Sequence, residues 1–336
     1  MEKIRWGILG TARIATEHVI PGIAASQYGS VSAVASRDQA TGQAVASRLG
    51  IPRAYGSYEE LLADPEVDAV YNPLPNHLHI PWSVKALEAG KHVLCEKPLA
   101  PTSEETAPLL EASERYPELK VMEAFMYKFH PQWRRVRSMV DEGAIGELRS
   151  IHTTFAYYLI DPGNIRNIAD FGGGALLDIG CYAVSVPRLL YGAEPVRVCA
   201  IVERDPQFGT DRLASALLEF KTGTATLTCG TQLAPYQRVS IFGTSGWIEV
   251  EIPFNAPRDR STRLFYRREA GSTQELPVEA ADQYSLEADG FAESILQGSD
   301  VPTPLADAVA NLDVLQAIFE SSRTGGWTPV LLSRPS

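Results

Sequence analysis

Short apolar runs alternate with helix-like segments along the first part of the chain. The runs that predict strands lie at residues 4–9, 31–36, 69–72, 92–96 and 120–124. The segments that predict helices run from the first strand to about residue 25, with a break at Pro21, and then over 40–49, 81–89 and 103–116. Because strands that alternate with helices at this spacing form parallel sheets, we expect a doubly wound α/β domain.

From about residue 126 the pattern changes to alternation of polar and apolar positions with period two. This alternation is typical of an antiparallel sheet with one covered face. The predicted strands lie at 148–157, 196–203, 211–220, 224–231, 238–243, 247–252 and 263–268, and the predicted helices at 131–142, 284–297 and 305–323. A chain of 336 residues exceeds the usual size of one core, so two domains are expected, over 1–125 and 126–336. The last helix, about 305–323, is a candidate to pack back on the first domain.

Composition and charge narrow the function classes. The net charge of −11 and the lack of a long Lys/Arg run argue against nucleic acid as a partner. No apolar run reaches about 18 residues and no signal-peptide core is present, so we expect a cytoplasmic protein with no membrane partner. The four cysteines lie far apart and no His/Cys spacing resembles a metal site, so no metal is expected.

The first predicted strand runs into a turn of small residues ahead of the first helix. A strand, a tight turn and a helix N-terminus together aim backbone N–H groups at a phosphate. The G-x-G-x-x-G fingerprint is present only in degraded form, because alanine occupies its second and third glycine positions. The turn by itself is therefore a weak signal for a dinucleotide site. Its candidate cofactor-binding residues are Gly10, Thr11, Ala12, Arg13 and Ile14.

The residues after the second predicted strand bear on the choice of cofactor. An acidic residue there would bind the ribose 2′-hydroxyl of NAD and repel the 2′-phosphate of NADP. This chain has Ser36 and Arg37 instead, and both side chains can bind a phosphate. In the alternative interpretation Arg37 is an exposed loop residue and Asp38 caps the next helix. We favour NADP(H) over NAD(H).

Polar or permissive residues stand at four predicted strand ends, where doubly wound sheets bind their ligands. They are Gly10, Ser36, Asn72 and Lys97. The proline-rich loop after Asn72, which contains Leu74, Asn76 and His79, is stiff enough to present side chains to a ligand with little ordering entropy. The alternative is a rigid turn followed by a helix cap.

Lys97 stands between Glu96 and Pro98 at the end of the fourth predicted strand. Lysine is seldom buried without a partner, so a cation at this place suggests a site. The alternative is a solvated charge pair followed by a turn. Position at a ligand-binding edge favours the site.

The second informative stretch runs from Gly172 to Tyr182, inside the region of predicted strands. Three glycines precede a helical segment on which Asp178 and Tyr182 stand four apart, so the two share one helix face. A phenol one turn from a carboxylate is a candidate general acid. In the alternative interpretation the aspartate complements the helix dipole and the tyrosine belongs to the core.

Taken together, the turn at 10–15, the E-K-P stretch at 96–98 and the G-G-G-x-x-x-D-x-G-x-Y stretch at 172–182 resemble the Gfo/Idh/MocA oxidoreductase family. The resemblance covers nearly the whole chain. With tyrosine at position 182, the chain resembles the branch of the family that contains glucose–fructose oxidoreductase, NADP-dependent xylose dehydrogenases and dimeric dihydrodiol dehydrogenase. Alanine at position 12 departs from the family pattern.

The resemblance implies a Rossmann domain followed by an α+β domain with a large open, mainly antiparallel sheet. Through that sheet the chain is expected to form a homodimer or homotetramer. It also implies a cis bond between Lys97 and Pro98, catalytic roles for Lys97 and Tyr182, and support from Asp178. Residues implied near the nicotinamide are Asn76, His79, Glu96 and Lys128, the last at a position where many relatives carry arginine.

The resulting hypothesis is an NADP-dependent oxidoreductase that transfers a hydride between the nicotinamide and a hydroxyl carbon of a sugar, such as a D-xylose or D-glucose type aldose. Tyr182 is the acid/base, Lys97 lowers its pKa, and Asp178 fixes their geometry. The alternatives are a trans-dihydrodiol dehydrogenase, a non-redox NAD(P)-binding sensor and an NAD-dependent glycosidase. Substrate-side candidates, for which ordinary sheet packing is the alternative, are Arg166, Phe155, Tyr157 and Phe171.

Overall fold

The computed structural model describes residues 3–333, so the outermost residues of the two predicted domains, 1–2 and 334–336, lie outside the described part. The strands of the first sheet are β1 (Ile4–Leu9), β2 (Gly29–Ala35), β3 (Arg53–Tyr55), β4 (Ala69–Asn72), β5 (His92–Glu96) and β6 (Val121–Ala124). All are parallel, in the order β3-β2-β1-β4-β5-β6. The strand order reverses between β1 and β4, so the predicted doubly wound α/β fold is confirmed.

The helices of this part connect its strands. They are α1 (Ile20–Ala25), which continues a π-helical turn at Ala15–Val19, α2 (Gln39–Leu49), α3 (Tyr58–Leu62), α4 (His79–Glu88) and α5 (Ala107–Arg115). Asp38 caps α2 by accepting hydrogen bonds from two N–H groups of its first turn. β3 and α3 are absent from the predicted elements, because three and five residues are too few to show a period.

Within residues 3–333 the second sheet has nine strands. They are β7 (Leu148–Tyr158), β8 (Arg197–Arg204), β9 (Asp211–Glu219), β10 (Thr224–Gly230), β11 (Gln232–Gly243), β12 (Gly246–Val250), β13 (Thr262–Arg268), β14 (Gln274–Val278) and β15 (Thr328–Pro329). Their order is β14-β13-β12-β11-β7-β10-β9-β8-β15, and all neighbours are antiparallel except β7 and β10. The predicted mainly antiparallel sheet is confirmed. β14 and β15, each with a proline, lie at the sheet edges and are absent from the predicted strands.

The remaining helices are α6 (Pro131–Asp141), α7 (Cys181–Tyr191), which continues a π-helical turn at Leu176–Gly180, α8 (Gln283–Gln297) and α9 (Leu305–Thr324). The two closing helices pack against the first domain. Phe291 of α8 packs on Trp6 of β1 with ring centroids 5.6 Å apart. Gln316 of α9 accepts a hydrogen bond of 3.0 Å from the N–H of Ser103. Among residues 3–333, no helix has both the length and the apolar character that crossing a membrane requires.

Candidate active site

The turn after β1 forms a cradle that only a glycine fits. Gly10 has φ of +98°, and a Cβ built on it would lie 3.2 Å from Leu74 Cδ2 and 3.6 Å from the Tyr58 hydroxyl. Helical residues begin directly after the turn, at Arg13, so the first N–H groups of the helix have no intrahelical acceptor. The turn therefore fits a dinucleotide phosphate, with Leu74 and Tyr58 as its walls.

The end of β2 carries the residues predicted to distinguish NADP from NAD. The Ser36 hydroxyl accepts a hydrogen bond from the N–H of Asp38, and the Asp38 carboxylate accepts two from the start of α2. Arg37 is exposed at this edge. The Asp38 carboxylate is thus engaged by its own helix, as the alternative interpretation expects. Arg13, by contrast, pairs with Glu17 at 2.8 Å on the exposed helix surface.

The loop after β4 connects the first sheet to the glycine stretch of the second domain. Asn76 Nδ2 donates a hydrogen bond of 2.8 Å to the carbonyl of Gly172. The ring of Phe171, a predicted substrate-side residue, stacks on His77 with centroids 4.5 Å apart. The structure therefore brings Asn76 and Phe171 to the same junction between the two domains.

His79 is buried and holds this loop against the E-K-P stretch. Its Nδ1 lies 2.8 Å from the carbonyl oxygen of Pro98 and its Nε2 lies 2.6 Å from that of Leu74. Burial lowers the pKa of His79 to about 4, so the ring is neutral and donates to only one of the two carbonyls at a time. Both ring nitrogens face backbone, which is a positioning arrangement rather than a ligand-facing one.

Lys97 lies in the centre of the site. Its peptide bond to Pro98 is cis, as the resemblance implies. Nζ donates hydrogen bonds to the Asp178 carbonyl at 2.7 Å and to Asp178 Oδ1 at 3.1 Å, and it lies 5.2 Å from the centroid of the Tyr182 ring. Residues 81 positions apart are thereby joined, and the side chain of Lys97 is only 11% exposed.

The Asp178 carboxylate is shared by three donors. Besides Lys97 it accepts hydrogen bonds at Oδ2 from the Tyr157 hydroxyl at 2.5 Å and from Arg166 Nε at 2.8 Å. Burial by itself would raise the pKa of Asp178, but Arg166 and Lys97 outweigh burial and hold the pKa well below its usual range. In return Asp178 outweighs the effect of burial on Lys97 and raises the lysine pKa. Both groups are therefore charged at neutral pH.

Tyr182 departs from the expectation in one respect. Its hydroxyl donates to the Met126 sulfur at 3.3 Å rather than to Lys97 or Asp178, and its ring packs against Phe125, Phe155 and Phe254. Burial in this aromatic cluster raises the pKa of Tyr182 well above its usual value. Burial is the largest influence on this pKa, and the effect of Lys97 on Tyr182 stays a prediction.

Two more of the predicted site residues, Phe155 and Glu96, make contacts that stabilise the fold around the site. Phe155 is buried and stacks on Phe254 with centroids 4.8 Å apart, which agrees with the alternative interpretation of sheet packing. Glu96 accepts a hydrogen bond of 2.5 Å from the Tyr71 hydroxyl and one of 3.2 Å from the N–H of Lys97. Burial raises the pKa of Glu96. The carboxyl thus lies directly behind the lysine and supports its position.

Lys128 connects the end of the first domain to α9. Its Nζ lies 2.6 Å from Asp307 Oδ2, and Asp307 also pairs with Arg188 of α7 at 2.9 Å. The neighbouring Glu123 of β6 is buried, accepts the N–H of Leu99 at 2.8 Å, and has a second oxygen with no partner in residues 3–333. Burial raises the pKa of Glu123 to about 7.

Replacement of Glu123 by glutamine is expected to change how stability depends on pH. The Glu123 pKa is raised above its ordinary 4.5, so its contribution to folding is complete below that value and is lost as pH rises through about 7. Relative to Glu123→Gln, the wild type should lose roughly 3 kcal/mol between about pH 5 and about pH 8. Urea unfolding at both pH values measures this, with the exposed Glu118→Gln as control. Parallel pH dependence in wild type and Glu123→Gln would contradict the assignment.

Two residues near the site carry no clear sequence signal. Tyr58 faces Gly10 from α3, a helix too short to predict, and Met126 contacts Tyr182 from a 3₁₀ turn at Met126–Phe129. Their roles depend on tertiary contacts alone. Within residues 3–333, no group of three or more His, Cys, Asp or Glu side chains is arranged to hold a metal ion.

The Rossmann-type sheet with its glycine cradle, joined to a second domain that supplies Asp178 and Tyr182, defines a nicotinamide-dependent oxidoreductase. Comparison with known protein families gives the same class. Residues 4–125 match the family described as an oxidoreductase family with an NAD-binding Rossmann fold, and residues 133–249 match the GFO/IDH/MocA C-terminal domain. The chain belongs to the Gfo/Idh/MocA oxidoreductase family.

Three relatives show how widely the likeness extends. An uncharacterized oxidoreductase of Rhizobium meliloti, ORF334, is 45% identical over 98% of this chain and 100% of its own. A D-xylose 1-dehydrogenase (NADP(+)) of Haloferax volcanii is 39% identical over 95% of this chain and 98% of its own. The crystal structure of KijD10, a 3-ketoreductase from Actinomadura kijaniata in complex with NADP and TDP-benzene, has a TM-score of 0.89 at 34% identity, covering 97% of this chain and 98% of that one.

Proposed function

We propose that this chain is an NADP-dependent dehydrogenase acting on a hydroxyl carbon of an aldose of the D-xylose or D-glucose type. The observation that carries the proposal is the convergence of Lys97, Asp178 and Tyr182 at the carboxyl end of β5, beside the cofactor edge of the sheet. The similarity to a D-xylose 1-dehydrogenase supports both the substrate class and NADP. Residues 1–125 would bind the cofactor. Residues 126–336 would bind the sugar and assemble the chain as a homodimer or homotetramer.

The residues proposed to hold the cofactor follow the strand ends. The turn from Gly10 to Ile14 would hold the pyrophosphate, and Ser36 with Arg37 would hold the 2′-phosphate. Leu74, Asn76, Glu96 and Lys128 would lie at the nicotinamide end or support it, and the hydrogen bond from His79 to Leu74 would fix the loop. When bound, the nicotinamide accepts the hydride in oxidation and supplies it in reduction.

Tyr182 and Lys97 have different roles in the proposed reaction. In reduction the protonated phenol of Tyr182 donates to the carbonyl oxygen of the substrate, and the Lys97 ammonium stabilises the developing negative charge. In oxidation the phenolate of Tyr182 takes the proton from the substrate hydroxyl and becomes the phenol again. Because burial keeps the pKa of Tyr182 high, oxidation should accelerate as pH rises. Asp178 keeps Lys97 charged, and Tyr157 with Arg166 keeps Asp178 ionised at the substrate side.

A second candidate is reduction of a nucleotide-linked keto sugar. The chain is similar to a 3-ketoreductase whose structure holds TDP-benzene. Lys97 and Tyr182 both carry their protons at neutral pH, which suits donation to a carbonyl oxygen. A trans-dihydrodiol would need the same acid/base pair and remains a third substrate class to include in a screen.

The test is a substrate screen that follows the absorbance of reduced nicotinamide. Purified protein is mixed with NADP and a panel of aldoses, with NADP and a trans-dihydrodiol, and with NADPH and a dTDP-linked 3-keto sugar. The highest kcat/KM for an aldose supports the proposal, because that ratio reports discrimination in the transition state. Tight NADPH binding without turnover of any substrate would favour the non-redox alternative.

The proposed preference for NADP rests on Arg37. Arg37→Ala is expected to lower kcat/KM for NADP by about tenfold to a hundredfold and to leave kcat/KM for NAD nearly unchanged, because one charge-assisted contact to the 2′-phosphate is lost. Arg48→Ala, which removes another exposed arginine at the end of α2, is the matched control. An equal loss with both cofactors would show that Arg37 does not read the phosphate.

A further inference from the structure

Asp211, the first residue of β9, contacts the glycine stretch of the second domain. The residue is 2% exposed, and its Oδ2 accepts a hydrogen bond of 2.6 Å from the N–H of Leu176. The N–H of Ala175 also donates to this carboxylate. Asp211 has no part in the proposed proton chemistry, yet it binds the start of the segment that carries Asp178.

The third glycine of the stretch makes room for this carboxylate. Gly174 has φ of +121°, and a Cβ built on it would overlap Asp211 Oδ1. Any other residue at this position would both strain the backbone and push the carboxylate away from the segment. The close approach of Asp211 therefore explains why position 174 is a glycine.

The segment that Asp211 binds is the π-helical turn at Leu176–Gly180. The residue at its N-cap is Ala175, whose methyl group cannot accept a hydrogen bond. Because the first N–H groups of a helix have no acceptor within the helix, a buried helix start needs an acceptor from another part of the chain. Asp211 supplies that acceptor from β9. π-helical turns are rare and are often found at functional sites.

The carboxylate holds the turn firmly because it depends on the turn for its own hydrogen bonds. Burial raises the pKa of Asp211 to about 6, and the N–H of Leu176 opposes burial more than the charge of Arg204 does. Hydrogen bonds to a charged acceptor are about twice as strong as neutral ones. Displacement of the turn would leave a buried carboxylate short of donors, which is more costly than the loss of an exposed cap.

The same turn presents Asp178 to Lys97. The N–H of Asp178 donates a hydrogen bond of 3.1 Å to the carbonyl of Gly174, which closes the turn next to Asp211. The carbonyl and the carboxylate of Asp178 then accept hydrogen bonds from Lys97 Nζ at 2.7 and 3.1 Å. A shift of the turn would move both acceptors together, so the position of the Lys97 ammonium depends on what fixes the turn.

We infer that Asp211 is a positioning residue of the reaction: from β9 it fixes the π-helical turn at Leu176–Gly180, so that Asp178 holds Lys97 beside the reacting oxygen of the substrate. The inference rests on the proposed dehydrogenase function. Loss of the Asp211 acceptor should therefore lower kcat and leave NADPH affinity unchanged, since the proposed cofactor turn belongs to the first domain.

Asp211→Leu and Asp211→Asn test the inference, because both side chains have nearly the shape of aspartate. Leucine removes both acceptors and should lower kcat by about 10²-fold, the order of effect that a misplacement of about 1 Å produces in a catalytic group. Asparagine keeps one oxygen for the N–H of Leu176, so kcat should stay within about tenfold of the wild type. Steady-state kinetics measure kcat, and fluorescence titration measures NADPH affinity.

Asp205→Leu is the matched control. Asp205 is also buried, and it accepts hydrogen bonds of 2.7 and 2.9 Å from the N–H groups of Gln207 and Phe208, in the turn that precedes β9. Its replacement weakens the same end of the sheet without removing a contact to the segment that carries Asp178. The control variant should lose stability in urea unfolding and keep its kcat.

A double-mutant cycle with Lys97→Met separates positioning from a general loss of stability. If Asp211 acts through Asp178 on Lys97, the fold-loss of kcat caused by Asp211→Leu should be much smaller in the Lys97→Met background than in the wild type. Equal fold-losses in the two backgrounds, or equal losses in Asp211→Leu and Asp205→Leu, would overturn the inference while the dehydrogenase function stands. If Asp211→Leu does not fold, Asp211→Ser replaces it in the cycle.

Failure of the proposed function has a separate signature. If the wild type turns over no sugar and no other substrate of the screen, the dehydrogenase function fails, and a crystal structure of the folded Asp211 variant decides whether Asp211 positions Lys97. Loss of the contacts of 2.7 and 3.1 Å between Lys97 Nζ and Asp178 supports positioning by Asp211. Retention of both contacts overturns it.

Discussion

Replacement of Lys97 by methionine is expected to lower kcat for sugar oxidation by about 10²- to 10³-fold. The reason is that the substitution removes the buried positive charge that would stabilise the reacting oxygen of the substrate. Two of the three Nζ–H donors are directed to Asp178, at its carbonyl oxygen and Oδ1. No third acceptor is found among the residues that the structure describes, so one donor is available to the substrate. Methionine has a similar length and shape but neither charge nor donor.

The Lys97→Met variant should remain folded and should still bind NADPH. Asp178 keeps the Arg166 and Tyr157 hydrogen bonds, so its carboxylate is not left as an unpaired buried charge. Steady-state kinetics measure kcat, and fluorescence titration measures NADPH binding. Lys85→Met, which removes an exposed lysine paired with Glu59 and placed over Trp82, is the control for loss of charge. A Lys97→Met enzyme that kept kcat within about tenfold would contradict the assignment.

The fold is largely predictable because its long elements have clear periods. β4 and β5 occupy the predicted residues, and α8 and α9 each differ from prediction by one residue at one end. Local pattern does not show what those helices cover. The packing of Phe291 on Trp6 joins residues far apart in sequence, so the return of α8 to the first sheet is visible only in the structure.

The sequence predicts which residues belong to the site, but it does not predict which of them contact one another. Lys97, Asp178 and Tyr182 stand in recognisable stretches, and Lys97 does meet Asp178. The spacing of Asp178 and Tyr182 indicates a shared helix face, yet the π-helical turn at Leu176–Gly180 changes that face, and the Tyr182 hydroxyl meets Met126 instead. Its high pKa depends on rings such as Phe254, which come from distant segments.

The hydroxyl of Tyr182 contributes little to the stability of the fold, so its removal tests its role in catalysis. Its one described hydrogen bond goes to the sulfur of Met126, a weak acceptor. The hydroxyl of Tyr127, in the same aromatic cluster with ring centroids 5.7 Å away, makes a hydrogen bond of 2.7 Å to the Ser185 hydroxyl. Replacement of either tyrosine by phenylalanine removes one hydroxyl from the same aromatic cluster, so the two variants can be compared directly.

Tyr182→Phe is expected to lower kcat by about 10²- to 10⁴-fold, because the group that carries the substrate proton is lost. Its free energy of unfolding should change little, since only a weak contact to sulfur is removed. Tyr127→Phe should show the reverse pattern, keeping kcat and losing about 1 kcal/mol of stability with its buried hydrogen bond. Kinetics and urea unfolding of both variants measure the crossed pattern. If Tyr182→Phe kept its turnover and the rise of oxidation rate with pH, the proton would have to pass through Lys97 instead.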